Sequence, residues 1–136
     1  MFHNFICSVN LLTSIRHFHP VSDLNSTTLF SSKVVYFSKK VNNAGILTFG
    51  DLASSPMDVY DKMMSINVRS VIFLTKLCLP HLEKTKGAIV NVSSVCGPRS
   101  YPGIVYYSMS KSAIDQLTRC AALELASKGI RVNAIA

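Results

Sequence analysis

Apolar and polar positions fall into two regimes along this chain, and the change comes near Val41. Residues 1–40 carry no glycine, and their apolar positions hold no sustained period. Only Leu29-Phe30 and Val34-Val35-Tyr36-Phe37 read there as short strands, separated by Ser31-Ser32-Lys33. From Val41 the pattern becomes regular. Asn42-Asn43-Ala44-Gly45 reads as a strand end turning into a loop, because asparagine and glycine tolerate unusual backbone angles. Ser55-Pro56 reads as an N-cap followed by proline at the first helical position, with Asp58 in the first turn. That helix continues through Val59, Met63, Met64 and Ile66. A second has Val68, Val71, Ile72, Leu74, Thr75, Cys78 and Leu79 at helical spacing, with a kink expected at Pro80. Lys84-Thr85-Lys86-Gly87 closes it as a polar loop with a terminal glycine.

Ala88-Ile89-Val90-Asn91-Val92 is a short, β-branched run between glycine and serines, the signature of a buried parallel strand. A loop from Ser93 to Tyr101 holds Gly97-Pro98. A long helix over 104–127 shows an apolar stripe at Ile114, Leu117, Ala121 and Leu125, and Lys128-Gly129 ends it. Ile130 to Ala136 opens a further strand. Strands alternating with helices of this length predict an α/β fold, a parallel sheet with helices on its faces. The organisation is an atypical segment 1–40 followed by a core 41–136.

The 136 residues suffice for one domain, and 49% hydrophobic against 15% charged residues excludes a disordered chain. The formal net charge of +7 is scattered, with Lys39-Lys40 the longest run. A nucleic-acid surface needs a basic stripe with interleaved aromatics, and none is present. A mildly basic protein suits an anionic cofactor. Cys7, Cys78, Cys96 and Cys120 show no CxxC spacing. Cys78 and Cys120 sit in helical patterns and read as buried thiols in a reducing compartment; a cytoplasmic location is the default expectation because no targeting signal is read, with a mitochondrial one less favoured. His3, His17, His19 and His81 are too dispersed for a metal site. No apolar run reads as long enough to cross a membrane, and a first 22 residues with Arg16 as their lone arginine make a poor leader.

Three features carry chemistry. Tyr107 and Lys111 stand one helical turn apart, so their side chains share a face. An ammonium beside a phenol favours the phenolate, which brings proton transfer nearer neutral pH. Ser94 follows the buried strand, at the edge where parallel sheets meet ligands, and its hydroxyl can donate to a carbonyl oxygen. The alternative for Ser94 is a turn serine. Asn67 lies at the junction of the two middle helices, where asparagine disfavours the helix interior; on its own it reads first as a structural kink and second as a water-orienting group.

These features occur together and in one order. With Asn42-Asn43-Ala44-Gly45, Ser65-Ile66-Asn67-Val68, Ile89-Val90-Asn91-Val92-Ser93-Ser94, Tyr107-Ser108-Met109-Ser110-Lys111 and Gly129-Ile130-Arg131-Val132-Asn133, the stretch from Val41 resembles the short-chain dehydrogenase/reductase family. The branch resembled includes 3-oxoacyl-carrier-protein reductases and glucose dehydrogenases. Ser94 lies thirteen positions before Tyr107, the family's spacing, which selects it over Ser93 and selects Tyr107 over Tyr106 and Tyr101. The resemblance implies part of a Rossmann-like, doubly wound parallel sheet with helices on both faces. It implies hydride transfer between NAD or NADP and a carbonyl or secondary alcohol. Tyr107 would be the acid and base, Lys111 would bind the nicotinamide ribose, and Ser94 would orient the carbonyl. Asn67 would keep a water linking Lys111 to solvent. Asn43 would approach the cofactor, with Ala44 and Gly45 in the same loop. A homo-oligomer through helices 68–82 and 104–127 is also implied, with a small carbonyl or alcohol substrate as the other partner.

The chain departs from the family pattern in three places. The family's glycine-rich TGxxxGxG turn has no counterpart, since the first glycine is Gly45. The strand leading into the NNAG loop reads Ser38-Lys39-Lys40-Val41, and lysines in a central strand are costly to bury. The family's continuation past the last strand, which shapes the substrate pocket, does not follow Ala136. These departures predict little or no turnover from the 136 residues alone, and they keep a second reading beside the enzyme: a non-catalytic fragment that pairs with full-length subunits.

Overall fold

The computed structural model describes residues 37–136. The strands expected at 29–30 and 34–37 lie outside these residues, apart from Phe37, which is irregular. Three parallel strands form the sheet, in the order β1 (Lys39–Asn42), β2 (Ala88–Val92), β3 (Arg131–Ile135). Their register places Lys40 beside Ile89, Asn42 beside Asn91, and Ile89 beside Val132. The strand expected over Ala88–Val92 therefore forms with those bounds.

Between β1 and β2 runs α1 (Met57–Met64), a π turn (Ser65–Arg69) and α2 (Ser70–Thr85). These were expected as two helices. They join because the π turn absorbs Asn67 without breaking the chain of helical residues, and Pro80 lies inside α2 without ending it. The joined run Met57–Thr85 also corrects the expectation about apolar length. By length and composition alone, with a mean hydropathy of 1.2, it could cross a membrane. Its Met63, Asn67, Val71 and Leu82 are nonetheless buried in the domain. Between β2 and β3 runs α3 (Val105–Leu125), prolonged by a 3-10 turn (Ala126–Lys128) and ended by Gly129 at φ 73°.

Both crossovers cover the same face. Leu82 of α2, Leu125 of α3, Ile89 and Val132 form one apolar cluster with Ile130, and Leu79, Cys78 and Ala121 pack against it. Consecutive right-handed crossovers that advance in one direction across a sheet require this. The burial pattern agrees: in β2, Ile89 and Asn91 are buried while Ala88, Val90 and Val92 are half-buried. A helical layer on the opposite face is not among the described residues.

Three local expectations are corrected. Pro56, not Ser55, is the N-cap of α1, because Ser55 is held in the preceding loop, its N–H donating to Asp51 O. Lys86, not Gly87, adopts the left-handed conformation after α2, with φ 50°. Gly87 is needed for space instead: a side-chain carbon there would lie 2.7 Å from Leu82 Cδ2 and from Ser38 O. Cys120 is exposed rather than buried, and Thr118 occupies the core-facing position near it.

Candidate active site

The site lies where β1 and β2 end and α3 begins. Asn67 is its centre and is 2% exposed. A π turn holds one more residue than an α turn, a local device that is common at functional sites. Here the turn carries the Asn67 amide to the loop after β1. Ile46 N–H donates to Asn67 Oδ1 at 2.8 Å, and Asn67 Nδ2 donates to Ile46 O at 2.9 Å. This two-way bond treats the side chain as a short piece of sheet and fixes the Asn43-Ala44-Gly45 loop just before it. Asn67 Nδ2 also donates to Ser110 Oγ at 3.0 Å, and Ser110 Oγ donates to Tyr107 O at 2.7 Å. The loop, the π turn and the first turns of α3 are thus one network.

Tyr107 and Lys111 lie in those first turns. Lys111 is 6% exposed, and its Nζ donates to Val92 O, the last carbonyl of β2, at 2.9 Å. The same Nζ lies 5.6 Å from the centre of the Tyr107 ring, within reach of a cation–π contact. Tyr107 is half-buried, and among the described residues no group bonds its hydroxyl. A side-chain carbon placed at Gly45 would lie 3.4 Å from Asn67 Oδ1 and 3.7 Å from Lys111 Nζ. Gly45 therefore lies against both groups at ordinary contact distance.

Ser94 follows β2 and starts a tight turn: its Oγ accepts from Cys96 N–H at 3.2 Å, and its carbonyl accepts from Gly97 N–H at 2.9 Å. Ser112 Oγ donates to Gly97 O at 2.7 Å, which ties the turn to α3. The turn-serine reading of Ser94 is therefore correct as far as it goes, and its hydroxyl hydrogen is left to donate. No side-chain cap bond forms at the start of α3. Tyr106 secures it instead, its hydroxyl donating to Ser55 O at 3.2 Å and its ring meeting Tyr60 edge-on at 5.4 Å. Gly50 N–H donates to Gly103 O at 2.8 Å beside it.

The structure brings Asn67, Lys111, Tyr107 and Gly45 into one network, and it places Ser94 in the turn that follows β2. The structural reading of Asn67 takes the form of a π turn, which aims the side chain at Ile46 and Ser110. Ser110 and Ser93 were missed by the sequence reading. Ser110 is fully buried and bridges Asn67 to Tyr107; its position three residues after Tyr107, facing inward with it, was the available signal. Ser93 N–H donates to Ile135 O at 2.7 Å and its Oγ reaches Lys111 O at 3.5 Å, so it joins β2, β3 and α3.

The group implied by the sequence is a nicotinamide cofactor. The donor set fits its nicotinamide-ribose end: a buried ammonium lies beside the Tyr107 ring and a side-chain-free loop position.

The sequence model of the family described as "short chain dehydrogenase" matches residues 33–136, so the chain belongs to the short-chain dehydrogenase family. It is 38% identical over 95 residues to meso-2,3-butanediol dehydrogenase of Serratia marcescens, covering 70% of this chain and 38% of that protein. It is 41% identical over 99 residues to 2-(R)-hydroxypropyl-CoM dehydrogenase of Xanthobacter autotrophicus, covering 70% and 40%. The chain thus spans about two fifths of the length of these relatives. Among solved structures, a short-chain dehydrogenase/reductase of Caenorhabditis elegans with cofactor superposes with a TM-score of 0.68 at 42% identity, over 74% of this chain and 39% of that one. ElxO with NADP bound superposes with a TM-score of 0.70 at 39% identity, over 73% and 41%.

Proposed function

We propose that this chain carries the catalytic core of an oxidoreductase that moves hydride between NAD or NADP and a small carbonyl compound or secondary alcohol. The observation that carries this reading is the Lys111 ammonium, buried against the end of β2 and held over Tyr107, with Gly45 leaving the space beside it open. When bound, a nicotinamide supplies or accepts the hydride. Tyr107 gives its hydroxyl proton to the carbonyl oxygen in reduction and takes it back in oxidation. The Ser94 hydroxyl donates to the same oxygen and orients it. Lys111 holds the ribose hydroxyls and stabilises the charge left on the Tyr107 oxygen. Asn67 keeps the Asn43-Ala44-Gly45 loop in place and faces the spot from which Lys111 can be reprotonated. Named relatives that act on butanediol and cyclopentanol support a small alcohol or ketone as the substrate class.

The reading includes a homo-oligomer through 68–82 and 104–127. Phe73, Leu74 and Leu77 of α2 and Met109 and Leu123 of α3 are exposed, which suits helices that meet a second copy. It also includes a reducing compartment, which suits the free thiols Cys78, Cys96 and Cys120.

The test is NADH and NADPH consumption by the purified chain with cyclopentanone and butane-2,3-dione. The signal expected from these residues is weak, because no glycine precedes Gly45. Tyr107→Phe should reduce it by about 10²–10⁴-fold, the range for loss of a positioned acid. Consumption untouched by Tyr107→Phe would sink the proposal.

A further inference from the structure

Among the described residues two lysines are buried, and Lys111 belongs to the site above. The other, Lys40, is 5% exposed and lies on β1. Its Nζ donates to Asn42 Oδ1. It also lines a cavity of about 250 Å³ between β1 and α2, walled by Phe37, Val41, Leu74 and Leu77. Cys78, half-buried on α2, lines the same cavity. Burial holds the Lys40 ammonium below the ordinary lysine range. Nothing in the hydride-transfer reading uses either residue.

An amine and a thiol of this kind differ in preference. The free amine attacks a carbonyl carbon, whereas the soft thiolate prefers a polarised alkene carbon. One class of small molecule offers both centres with an apolar body that suits these walls. We propose that Lys40 and Cys78 form a paired amine–thiol site in the β1–α2 cavity, and that it takes a small α,β-unsaturated aldehyde. The Cys78 sulfur bonds to the β-carbon, the alkene π bond is lost, and the thiol proton ends on the α-carbon. Lys40 Nζ bonds to the aldehyde carbon and the carbonyl oxygen leaves as water, giving an imine. No oxidant or reductant enters.

The probe is o-phthalaldehyde, which joins an amine and a neighbouring thiol into a fluorescent isoindole with loss of water. The folded chain should give one isoindole, mapped by mass spectrometry to Lys40 and Cys78. Its fluorescence should be lost in Cys78→Ser and in Lys40→Arg, and kept in Cys96→Ser and Cys120→Ser. Treatment with trans-2-butenal followed by borohydride should cross-link the same two peptides. No isoindole in the folded wild type, one mapped to other residues, or fluorescence that survives Cys78→Ser overturns the proposal. The wild-type map decides the matter even where a variant fails to fold, and circular dichroism identifies such a variant.

Discussion

Two buried asparagine networks cross this small domain, and they end differently. The first runs from the Ile46 backbone through Asn67 and Ser110 to the Tyr107 carbonyl. The second runs from Lys40 through Asn42 and Asn91 to Thr118, with steps of 2.7 Å and 2.8 Å, and closes on Ile114 O. The first has backbone at both ends, so it sets where the loop and α3 sit relative to each other. The second has backbone at one end and the Lys40 amine at the other, so its service is to satisfy polar groups under α3. A buried amide that holds two pieces of main chain positions them. One that holds side chains only keeps them from being stranded.

The sharpest way to break this distinction is to truncate the centre of each network. Asn67→Ala strands both Ile46 groups, while Ser110 keeps its bond to Tyr107 O, and should cost roughly 2–6 kcal/mol in urea denaturation, at about 1–3 kcal/mol per stranded group. Exchange of the Ile46 amide hydrogen should accelerate with it. Asn91→Ala should cost less, roughly 1–3 kcal/mol, because it strands the Asn42 amide alone and Thr118 keeps its bond to Ile114 O. In that variant Ile46 exchange should stay near the wild-type rate once global stability is corrected for. Equal acceleration in both variants would merge the two networks into one.

Lys40 gives a smaller effect with a definite pH direction. Its folded pKa lies below 10.5, the unfolded value, so the unfolded chain binds more protons between the two. Stability should therefore rise as pH climbs from the folded pKa towards 10.5, where the penalty is gone. Lys40→Met should flatten that slope, measured as the denaturation midpoint between neutral pH and pH 10. An unchanged slope would show that Lys40 is not the group responsible. The smallest effect lies outside both networks. Lys86→Gly removes a left-handed lysine, worth about 1 kcal/mol, and loses the Lys86 Nζ bond to Lys128 O. The net gain should stay below about 1 kcal/mol, and Ile46 exchange should not respond.

Much of this was legible in the residues. Tyr107 and Lys111 stand out because helical spacing puts them on one face, and the run Ala88–Val92 reads as a strand because β-branched residues sit between glycine and serines. Asn67 was legible as an anomaly, and the anomaly proved to be the π turn. What was hidden has physical reasons. Asn42 and Asn91 sat inside recognised motifs but received no role, since a cross-strand pair depends on register, which periodicity does not supply. Lys40 read as a misfit because a strand lysine is costly to bury, and the cost is eased by Asn42 two residues on, whose amide is held in turn by Asn91 on the neighbouring strand. Gly87 read as a cap because glycine usually is one, whereas here the crowding of Leu82 and Ser38 demands it. The exposure of Cys120 follows from Thr118 turning inward, a choice that depends on Asn91 lying opposite.

The π turn at Ser65–Arg69 has a consequence for chain length. It is an α turn with one residue in surplus, so α1 and α2 are out of phase by about 100° compared with a regular helix of the same sequence. Deleting a single residue there would restore regular helix. It would also rotate α1 by that angle about the axis of α2, carrying Met63 out of the interior while Asn67 loses Ile46. Elsewhere in a helix such a deletion is a local insult. Here the residue count of one turn sets the phase of the core and the aim of the amide together, so neither can drift in length without the other.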